Sequence, residues 1–353
     1  MISILAAAAI FQPSFRSLNS HSLPPSTNDY WFVALGDNRP AGAGLPPDRT
    51  FKQLLEEVSL VGPKFVISSG DLLYGNEESI GQYQQEIQWA KTVLEALPCP
   101  FYNAPGNHEI NNKAEFLAEY TKNWGATYGS FEYGGIRFVA VCTELPAEKP
   151  SVFGPQKDWL SSLLAASKPT VIFQHHPIFA RPTNTDKDDK TVDDAEKLHA
   201  LYTSSGTKLV VEGHDHIYDL QRHDGVQYTI TGGGGSPLDG SAVEGGFFHF
   251  LLVHVADGKI ETTPIPAGTL EVLQRGDGKA AACNYSDVDL KVTNLLIDSK
   301  NKPSSVTATY SKKNQKPKEI PAKIVETKPY GKGYRTRVEM VLPKHRASIV
   351  ALN

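Results

Sequence analysis

Five short apolar runs of the chain end in residues that bind metals or transfer protons. These residues are Asp37 after Gly36, Asp71 after Gly70, Asn107 and His108 after Gly106, His175 and His176 after Phe173-Gln174, and His214 and His216 after Gly213. One such residue alone is typical of a helix cap or a satisfied polar group of the core. Burying several carboxylates and imidazoles at one end of a sheet is costly unless a shared cation neutralises them. The set therefore predicts a metal centre.

A glycine directly precedes the ligand-type residue in four of these runs, and it lets the chain turn sharply off a strand and approach the site closely. The last of the four runs is Gly-His-Asp-His at 213–216. If this segment is extended, alternate residues point the same way. The pattern then predicts that His214 and His216 reach two adjacent metals while Asp215 points elsewhere.

The composition is that of an ordinary globular protein. The 353 residues are 40% hydrophobic and 21% charged, enough for one large domain with an appendage or for two domains. The net charge of -4 provides no general attraction to nucleic acid. The basic stretch 311–319 lacks interleaved aromatic residues, which favours a solvated hairpin turn over a specific nucleic-acid site. Cys99, Cys142 and Cys283 have neither disulfide-framework nor zinc-site spacing.

Short apolar runs alternate with amphipathic segments, which predicts an α/β fold. The predicted helices are Thr50 to Val61, Ile80 to Leu97, Asn112 to Trp124, Pro155 to Ala166 and Asp193 to Ser204. From about 225 to 266 strands follow one another without a helix, so the sheet is expected to finish on antiparallel strands. We predict a catalytic domain over 29–268 and a small all-β domain of unknown role over 280–353.

The first 28 residues form a leader or a signal peptide. Ile2 to Phe11 is apolar, but no Lys or Arg precedes it. Cleavage of this segment would make the protein secreted or periplasmic, and without cleavage it is expected to be cytoplasmic. No other segment approaches the ~18 to 20 apolar residues of a membrane-spanning helix.

Several further signals are assigned structural roles. The glycine-rich stretch from Thr231 lacks the Gly-Lys-Ser/Thr ending of a phosphate loop, so it is predicted to be a flexible wall of the site. The acidic stretch 186–194 lacks the EF-hand glycine and is predicted to be a solvated loop lining the cleft. His199, His249 and His254 are predicted to be structural.

Taken in order, the five motifs resemble the metallophosphoesterase superfamily, also called calcineurin-like phosphoesterases. The resemblance covers about Trp31 to Pro266 and rests on Gly36-Asp37, Gly70-Asp71, Gly106-Asn107-His108-Glu109, His175-His176-Pro177 and Gly213-His214-Asp215-His216. It implies a four-layer α/β/β/α sandwich with a two-metal site between the carboxyl ends of the sheets. Most of the superfamily has Asp-x-His as its first motif, whereas this chain has Asp37-Asn38-Arg39. Arginine stays protonated and cannot replace the missing ligand.

Tyr74, three residues after Asp71, makes the chain similar to the purple acid phosphatase branch. In that branch the tyrosine is a phenolate ligand of a ferric ion, and a hard oxygen donor suits trivalent iron. The resemblance implies a binuclear centre of Fe(3+) with Fe(2+), Zn(2+) or Mn(2+). The implied ligands are Asp37, Tyr74 and His216 for the first metal, Asp71 as the bridge, and Asn107, His175 and His214 for the second. The family motif places the ligand two residues before the proline, which favours His175 over His176.

The resemblance implies a phosphoester hydrolase in which a metal-bound hydroxide attacks phosphate in line and His108 protonates the leaving group. A small phosphorylated substrate, hydrolysed as by an acid phosphatase, is expected. Arg39 either binds phosphate oxygens or pairs with an acid in 184–194. A phosphodiester or pyrophosphate substrate stays open, because 179–197 lacks the additional histidine that many purple acid phosphatases carry. Two further alternatives are an iron-free manganese or zinc phosphodiesterase, and a silent metal-binding module whose β domain contacts partners.

Overall fold

The computed structural model describes residues 14–75, 79–110, 112–147, 149–181, 191–312 and 315–353. The apolar part of the predicted leader, Ile2 to Phe11, lies outside these residues, as does most of the acidic stretch 186–194. The helices are α1 Arg49–Val61, α2 Ile80–Glu95, α3 Asn107–Ile110, α4 Ala114–Trp124, α5 Gly154–Ala165 and α6 Ala195–Ser204. All five predicted helices are present, and the short α3 was not predicted.

Helix α1 shows why the sequence signals were sufficient. The carboxylate of Asp48 accepts a hydrogen bond from the backbone N–H of Thr50 at 2.7 Å and caps the first turn. Gly62 ends the helix in the left-handed conformation, with φ of 66°. The buried residues between them recur every three or four positions, so one apolar face packs on the sheet. They are Phe51, Leu54, Leu55, Glu57, Val58 and Val61.

Eleven strands form two sheets. They are β1 Asp29–Leu35, β2 Val66–Ser68, β3 Phe101–Asn103, β4 Gly129–Tyr133, β5 Ile136–Ala140, β6 Thr170–Phe173, β7 Thr207–Glu212, β8 Tyr218–His223, β9 Val226–Thr231, β10 His249–Ala256 and β11 Lys259–Pro266. One sheet has the order β11-β10-β1-β2-β3 and the other β4-β5-β6-β7-β9-β8. The sequence indicated neither β4 nor β8.

The last strands only partly follow the predicted antiparallel finish. β8 pairs with β9, and β10 with β11, in antiparallel fashion. However, β9 lies parallel to β7, and β10 crosses to the other sheet, where it pairs with β1. The predicted antiparallel finish is therefore found at one end of each of the two sheets.

The two sheets pack face to face on an aromatic core. Phe32, Phe65 and Phe138 lie at its centre, with ring centroids 4.9 to 5.2 Å apart. On the outer faces, α1, α2 and α4 bury apolar residues against the first sheet, while α5 and α6 do so against the second. This confirms the four-layer α/β/β/α sandwich. The central strands are apolar on both sides because each is covered by a sheet and by helices.

The C-terminal region is all β, as predicted. Its strands are β12 Leu270–Gln274, β13 Lys279–Asn284, β14 Leu290–Ser299, β15 Val306–Tyr310, β16 Lys318–Ile320, β17 Ala322–Tyr330, β18 Gly333–Leu342 and β19 Arg346–Leu352. They form sheets of order β12-β13-β19-β15-β16 and β14-β18-β17. The basic stretch 311–319 links the antiparallel strands β15 and β16 and reaches into β16. β12 lies between the two predicted domain ranges, whose limits stay predictions.

The second half of the predicted leader is packed onto the fold. The backbone N–H of Leu18 donates to the carbonyl oxygen of Phe101 at 2.7 Å. The side-chain amide of Asn19 donates to the carbonyl oxygens of Leu94 at 2.9 Å and Cys99 at 3.0 Å. These bonds satisfy carbonyl groups where α2 ends, before β3. Among the described helices, none is long and apolar enough to cross a membrane.

The C-terminal region is attached to α1 by side-chain hydrogen bonds. The carboxylate of Glu57, 3% exposed, accepts the backbone N–H of Gly268 at 2.6 Å and that of Leu270 at 3.3 Å. From β14, Thr293 Oγ1 donates to the carbonyl oxygen of Val61, and Asn294 Nδ2 donates to that of Ser59. The end of α1 and the start of the C-terminal region are therefore held in one arrangement.

Replacing Glu57 with alanine is expected to lower the free energy of unfolding by about 1 to 3 kcal/mol, because the N–H of Gly268 and the buried N–H of Leu270 would lose their acceptor. Urea denaturation of the full chain measures this change. Glu56→Ala is the matched control, since Glu56 is exposed on the same helix and is expected to change the value by less than about 0.5 kcal/mol. Equal effects of the two substitutions would contradict the assigned role of Glu57.

Candidate metal centre

The loops that follow the parallel strands bring the predicted ligands to one place. Asp37 follows β1, Asp71 follows β2, His175 follows β6 and His214 follows β7. Ligand atoms of Asp37, Asp71 and His175 lie within 4.8 Å of one another, and so do those of His175, His176 and His214. Because His175 belongs to both groups, the two groups form one continuous cluster where the edges of the sheets meet.

Three of these residues adopt left-handed backbone conformations that non-glycine residues rarely take. Asp37, Asp71 and His214 have φ of 57°, 53° and 69°. Cross-loop hydrogen bonds hold two of them: Asp37 N–H donates to the carbonyl oxygen of Gly70 at 2.9 Å, and Asn38 N–H to that of Asp71 at 2.8 Å. Each strained residue costs on the order of 1 kcal/mol, and such strain is concentrated at functional sites.

The segment 213–217 is not extended, so the predicted alternation along a strand is wrong. Asp215 N–H donates to the carbonyl oxygen of Gly213 at 2.9 Å, and Ile217 N–H to that of Asp215 at 2.8 Å, which describes two consecutive tight turns. Both histidines nevertheless meet Asp37. The backbone N–H of His214 donates to both carboxylate oxygens of Asp37 at 3.1 Å. His216 Nε2 lies 3.6 Å from Asp37 Oδ1.

The histidines are oriented by backbone carbonyl groups. The Nδ1 atoms of His175, His216 and His108 contact the carbonyl oxygens of Ser69 at 2.9 Å, Pro237 at 2.5 Å and Tyr74, respectively. Because a carbonyl only accepts, Nδ1 carries a proton in each case, and in the neutral imidazole Nε2 keeps its lone pair. This arrangement is typical of metal-binding histidines.

Three atoms of metal-binding type lie close together on the second-metal side of the cluster. His175 Nε2 lies 2.8 Å from Asn107 Oδ1, and His214 Nδ1 lies 3.2 Å from Asn107 Oδ1 and 3.3 Å from His175 Nε2. Lone pairs of His175 Nε2 and Asn107 Oδ1 this close repel each other unless a cation is shared between them. Nitrogen and oxygen donors of this kind suit zinc, manganese or iron. The residues present therefore fit a bound metal.

Burial and neighbouring charge set the protonation of the carboxylates and imidazoles. Desolvation, followed by repulsion from Asp71, raises the pKa of Asp37. Desolvation would also raise the pKa of Asp71, but His175, His108 and Arg39 together hold it below its usual value. Desolvation lowers the pKa of His175 and of His216, which favours the neutral imidazoles that metals require.

Glu109 is a residue that the sequence reasoning did not assign. Its fully buried carboxylate accepts the backbone N–H groups of Gly106 at 2.7 Å, Asp71 at 3.0 Å and Leu73 at 3.1 Å, and also that of Leu72. Burial, with repulsion from Asp71, raises its pKa to about 8. The carboxylate ties the loop after β2 to the loop after β3. Its position directly after Asn107 and His108 was the available signal.

Arg39 and Tyr74 lie together beside Asp71. Arg39 Nε is 3.8 Å from Asp71 Oδ2, and its guanidinium carbon is 5.4 Å from the centre of the Tyr74 ring. Within the described part of the chain, Asp71 is the acid that pairs with Arg39, and residues 184–190 of the predicted alternative lie outside it. The Tyr74 ring also contacts the His108 ring, with centroids 5.4 Å apart. Ligation by Tyr74 stays a prediction.

The glycine-rich stretch after β9 is a buried wall directly behind Asp37. A Cβ atom on Gly232 would lie 2.0 Å from the carbonyl oxygen of Asp215 and 2.9 Å from Asp37 Oδ2. Gly234 N–H donates to the carbonyl oxygen of Gly36 at 3.0 Å. Glycine is needed here for close approach of the backbone to the site.

The three histidines assigned structural roles lie outside the metal cluster. His249 Nε2 contacts Thr231 Oγ1 at 3.1 Å behind the glycine wall. His254 stacks on Trp31, with ring centroids 4.1 Å apart. His199 lies 2.8 Å from the hydroxyl of Tyr228 and 2.9 Å from Asp224 Oδ2. Each contact is compatible with a packing role.

His176, which the proline spacing disfavoured, lies next to the cluster and pairs with a buried acid. Its Nδ1 contacts Glu144 Oε1, and its ring centroid is 3.9 Å from that of His214. Desolvation would raise the pKa of Glu144, but His176 reverses the effect and the net shift is downward. Neither His176 nor Glu144 was assigned a role from the sequence.

The chain is similar to a known family of proteins. The family model described as calcineurin-like phosphoesterase matches residues 30–218. Two similar curated proteins are serine/threonine-protein phosphatase CPPED1 of Pongo abelii, 30% identical over 170 residues, and of Homo sapiens, 30% identical over 169 residues. Each match covers 44% of this chain and 54% of the relative. The chain thus spans about half the length of these relatives.

A third relative is named probable cyclic nucleotide phosphodiesterase syc0937_d of Synechococcus, 27% identical over 162 residues, which are 45% of this chain and 60% of the relative. Among solved structures, a dimetal phosphatase from Danio rerio is 14% identical, with a TM-score of 0.49 over 73% of this chain and 99% of the other. GAP50 of Plasmodium, an anchor in the inner membrane complex, is 12% identical, with a TM-score of 0.47 over 69% of this chain and 86% of the other.

Gly106→Ala is expected to weaken Mn²⁺ binding by at least about tenfold. The new Cβ atom would lie 2.1 Å from Asp71 Oδ1 and 2.7 Å from Asp71 N, so Asp71 must move. Isothermal titration calorimetry on the full chain measures the affinity. Gly42→Ala is the control, since its Cβ would meet only Leu45 Cδ1 at 3.4 Å. Unchanged affinity in a folded Gly106→Ala protein would show that the position of Asp71 does not matter for the metal.

Proposed function

The chain belongs to the calcineurin-like phosphoesterase family, and we propose that it is a metal-dependent phosphoester hydrolase that uses the centre around Asp71. The observation that carries this proposal is the convergence of ligand-type residues from four separate loops. The ligand atoms of Asp37, Asp71 and His175 lie within 4.8 Å of one another, and His214, on the fourth loop, lies equally close to His175. Burying two carboxylates side by side without a counter-charge is unfavourable, and a pair of cations relieves that repulsion.

The proposed ligands are those implied by the resemblance. Asp37, Tyr74 and His216 would hold one metal, Asn107, His175 and His214 the other, and Asp71 would contact both. When bound, such a pair of cations lowers the pKa of water and neutralises charge on the phosphate. The protein holds the donor atoms in place before substrate arrives, and the glycine wall behind Asp37 keeps bulk water from that side.

His108 is proposed as the general acid. Its Nδ1 is held by the carbonyl oxygen of Tyr74, and its Nε2 lies 3.9 Å from Asp71 Oδ2. Its side chain is 12% exposed, so it borders both the centre and the solvent. In its doubly protonated form, this histidine can donate the proton on Nε2 to the leaving oxygen and later regain a proton from water.

Arg39 is proposed to bind the phosphate. Its side chain is 15% exposed, and its Nε has no hydrogen-bond partner among the described residues. Its distance to Asp71, 3.8 Å, is too long for a hydrogen bond. A guanidinium group with donors still to satisfy at the edge of the centre is suited to the paired oxygens of a phosphate group.

The substrate proposed is a phosphomonoester, as expected for a relative of proteins named serine/threonine-protein phosphatase. Purple acid phosphatase-like chemistry with iron is the finer proposal and depends on Tyr74. A phosphodiester substrate is the second candidate, favoured by the similarity to the Synechococcus protein. The presence of every implied ligand favours a hydrolase over a silent binding module.

The test of function is hydrolysis of an aryl phosphate and of a bis-aryl phosphate by the metal-loaded full chain. Wild type is expected to hydrolyse the monoester faster, and His108→Ala to lower kcat by about 10² to 10⁴. His345→Ala is the control, since that histidine is 54% exposed in the C-terminal region. No turnover of either ester by the loaded wild type would favour the silent module, and faster diester hydrolysis would favour the phosphodiesterase.

The iron proposal is tested by metal analysis and a visible spectrum. Protein expressed with iron is expected to show a phenolate-to-iron charge-transfer band that Tyr74→Phe abolishes, because phenylalanine offers no oxygen ligand. Tyr128→Phe is the control and leaves the band unchanged, since Tyr128 packs on Trp159 instead. A colourless, iron-free and active wild-type protein would contradict this proposal while leaving the hydrolase intact.

A further inference from the structure

We propose that Glu144 and His176 are positioning residues for the second metal, because together they fix the imidazole of His214. The inference rests on the proposed function, since it assumes a cation among Asn107, His175 and His214. None of the five motifs includes Glu144, and the proline spacing favours His175 over His176 as the ligand.

His176 is held in a single orientation by its surroundings. Its backbone N–H donates to Thr143 Oγ1 at 3.2 Å, and its carbonyl oxygen accepts Gln174 Nε2 at 2.8 Å. Its Nδ1–H donates to Glu144 Oε1, which also accepts the hydroxyl of Thr143 at 2.5 Å. Both His176 and Glu144 are buried. The ring therefore cannot rotate without breaking a hydrogen bond inside the protein.

This fixed ring lies against His214. The two imidazoles are inclined by 30°, with centroids 3.9 Å apart, and the ring nitrogens of His175, His176 and His214 lie within 4.8 Å of one another. His176 therefore packs on one side of the His214 ring and limits the orientations which that ring can adopt. The observed orientation places His214 Nδ1 3.2 Å from Asn107 Oδ1.

Glu144 and His176 border a cavity beside the proposed metal centre. His176, Glu144 and Thr143 line a cavity of about 230 Å³ together with Asn107 and His214. Asn107 and His214 are proposed ligands, so the cavity opens directly beside the second metal position. Outer groups that orient metal-binding histidines usually act through hydrogen bonds, and their loss typically costs 10- to 100-fold in metal affinity. His176 would orient His214 by ring packing instead.

The experiment measures Mn²⁺ binding by calorimetry and metal content on the folded full chain, checked by circular dichroism. His176→Ala and Glu144→Ala are each expected to weaken one of two binding steps by about 10- to 100-fold and to leave the other unchanged. Glu144→Gln is expected to stay within about threefold of wild type, because its amide oxygen still accepts Nδ1–H. His199→Ala, which removes a histidine–carboxylate pair from α6, is the control and changes nothing.

Several results would overturn the proposal. If a folded His176→Ala protein bound Mn²⁺ with wild-type affinities, His176 and Glu144 would have only a packing role. Loss of one whole Mn²⁺ equivalent at saturation would make His176 a ligand, and a rise in KM alone would make it a substrate contact. Failure of wild type to bind Mn²⁺ or Zn²⁺ would end both proposals. A wild-type protein that binds two ions but hydrolyses no phosphoester would refute the proposed function alone, and the comparison of affinities would still decide this inference.

Discussion

The structure depends on the burial of Asp37 and Asp71 next to each other, where the two sheets meet. Burial alone raises the free energy of each ionised carboxylate, and mutual repulsion raises it further. The surrounding residues reduce that energy with N–H donors, neutral imidazoles and the guanidinium group of Arg39. A bound pair of cations would compensate the remaining charge.

The backbone around Asp37 and Asp71 allows the loops to approach these two carboxylates closely. Left-handed residues turn three loops sharply off their strands, and glycine at 106 and 232 leaves room that any side chain would fill. Glu109 binds the N–H groups of two loops at once, and backbone carbonyls fix the protons of three histidines. These contacts stiffen the loops, and a stiff set of donors is what precise chemistry at a metal requires.

The outer parts of the molecule support the loops indirectly. α1 packs on the sheet that carries Asp37 and Asp71, and its Glu57 holds the connection to the C-terminal strands. Residues 18 and 19 bind carbonyl groups around the end of α2. The C-terminal region and the described N-terminal residues 14–28 therefore contribute to the rigidity of the first sheet, even though they lie away from the centre.

The sequence by itself determined the α/β class, the five main helices and the loops that would converge. Apolar runs define buried strands, and parallel strands end at the same edge, so residues after each run must meet there. Tertiary structure alone decided the partners of those residues: Glu109 with the Asp71 loop, Glu144 with His176, Arg39 with Asp71, and the turns that direct His214 and His216. Contacts of this kind join residues that are far apart in the chain. Asp37 and His214, which are hydrogen-bonded, are 177 residues apart. The spacing of apolar residues along the chain predicts helices and strands, but it does not predict which side chains of distant loops come into contact.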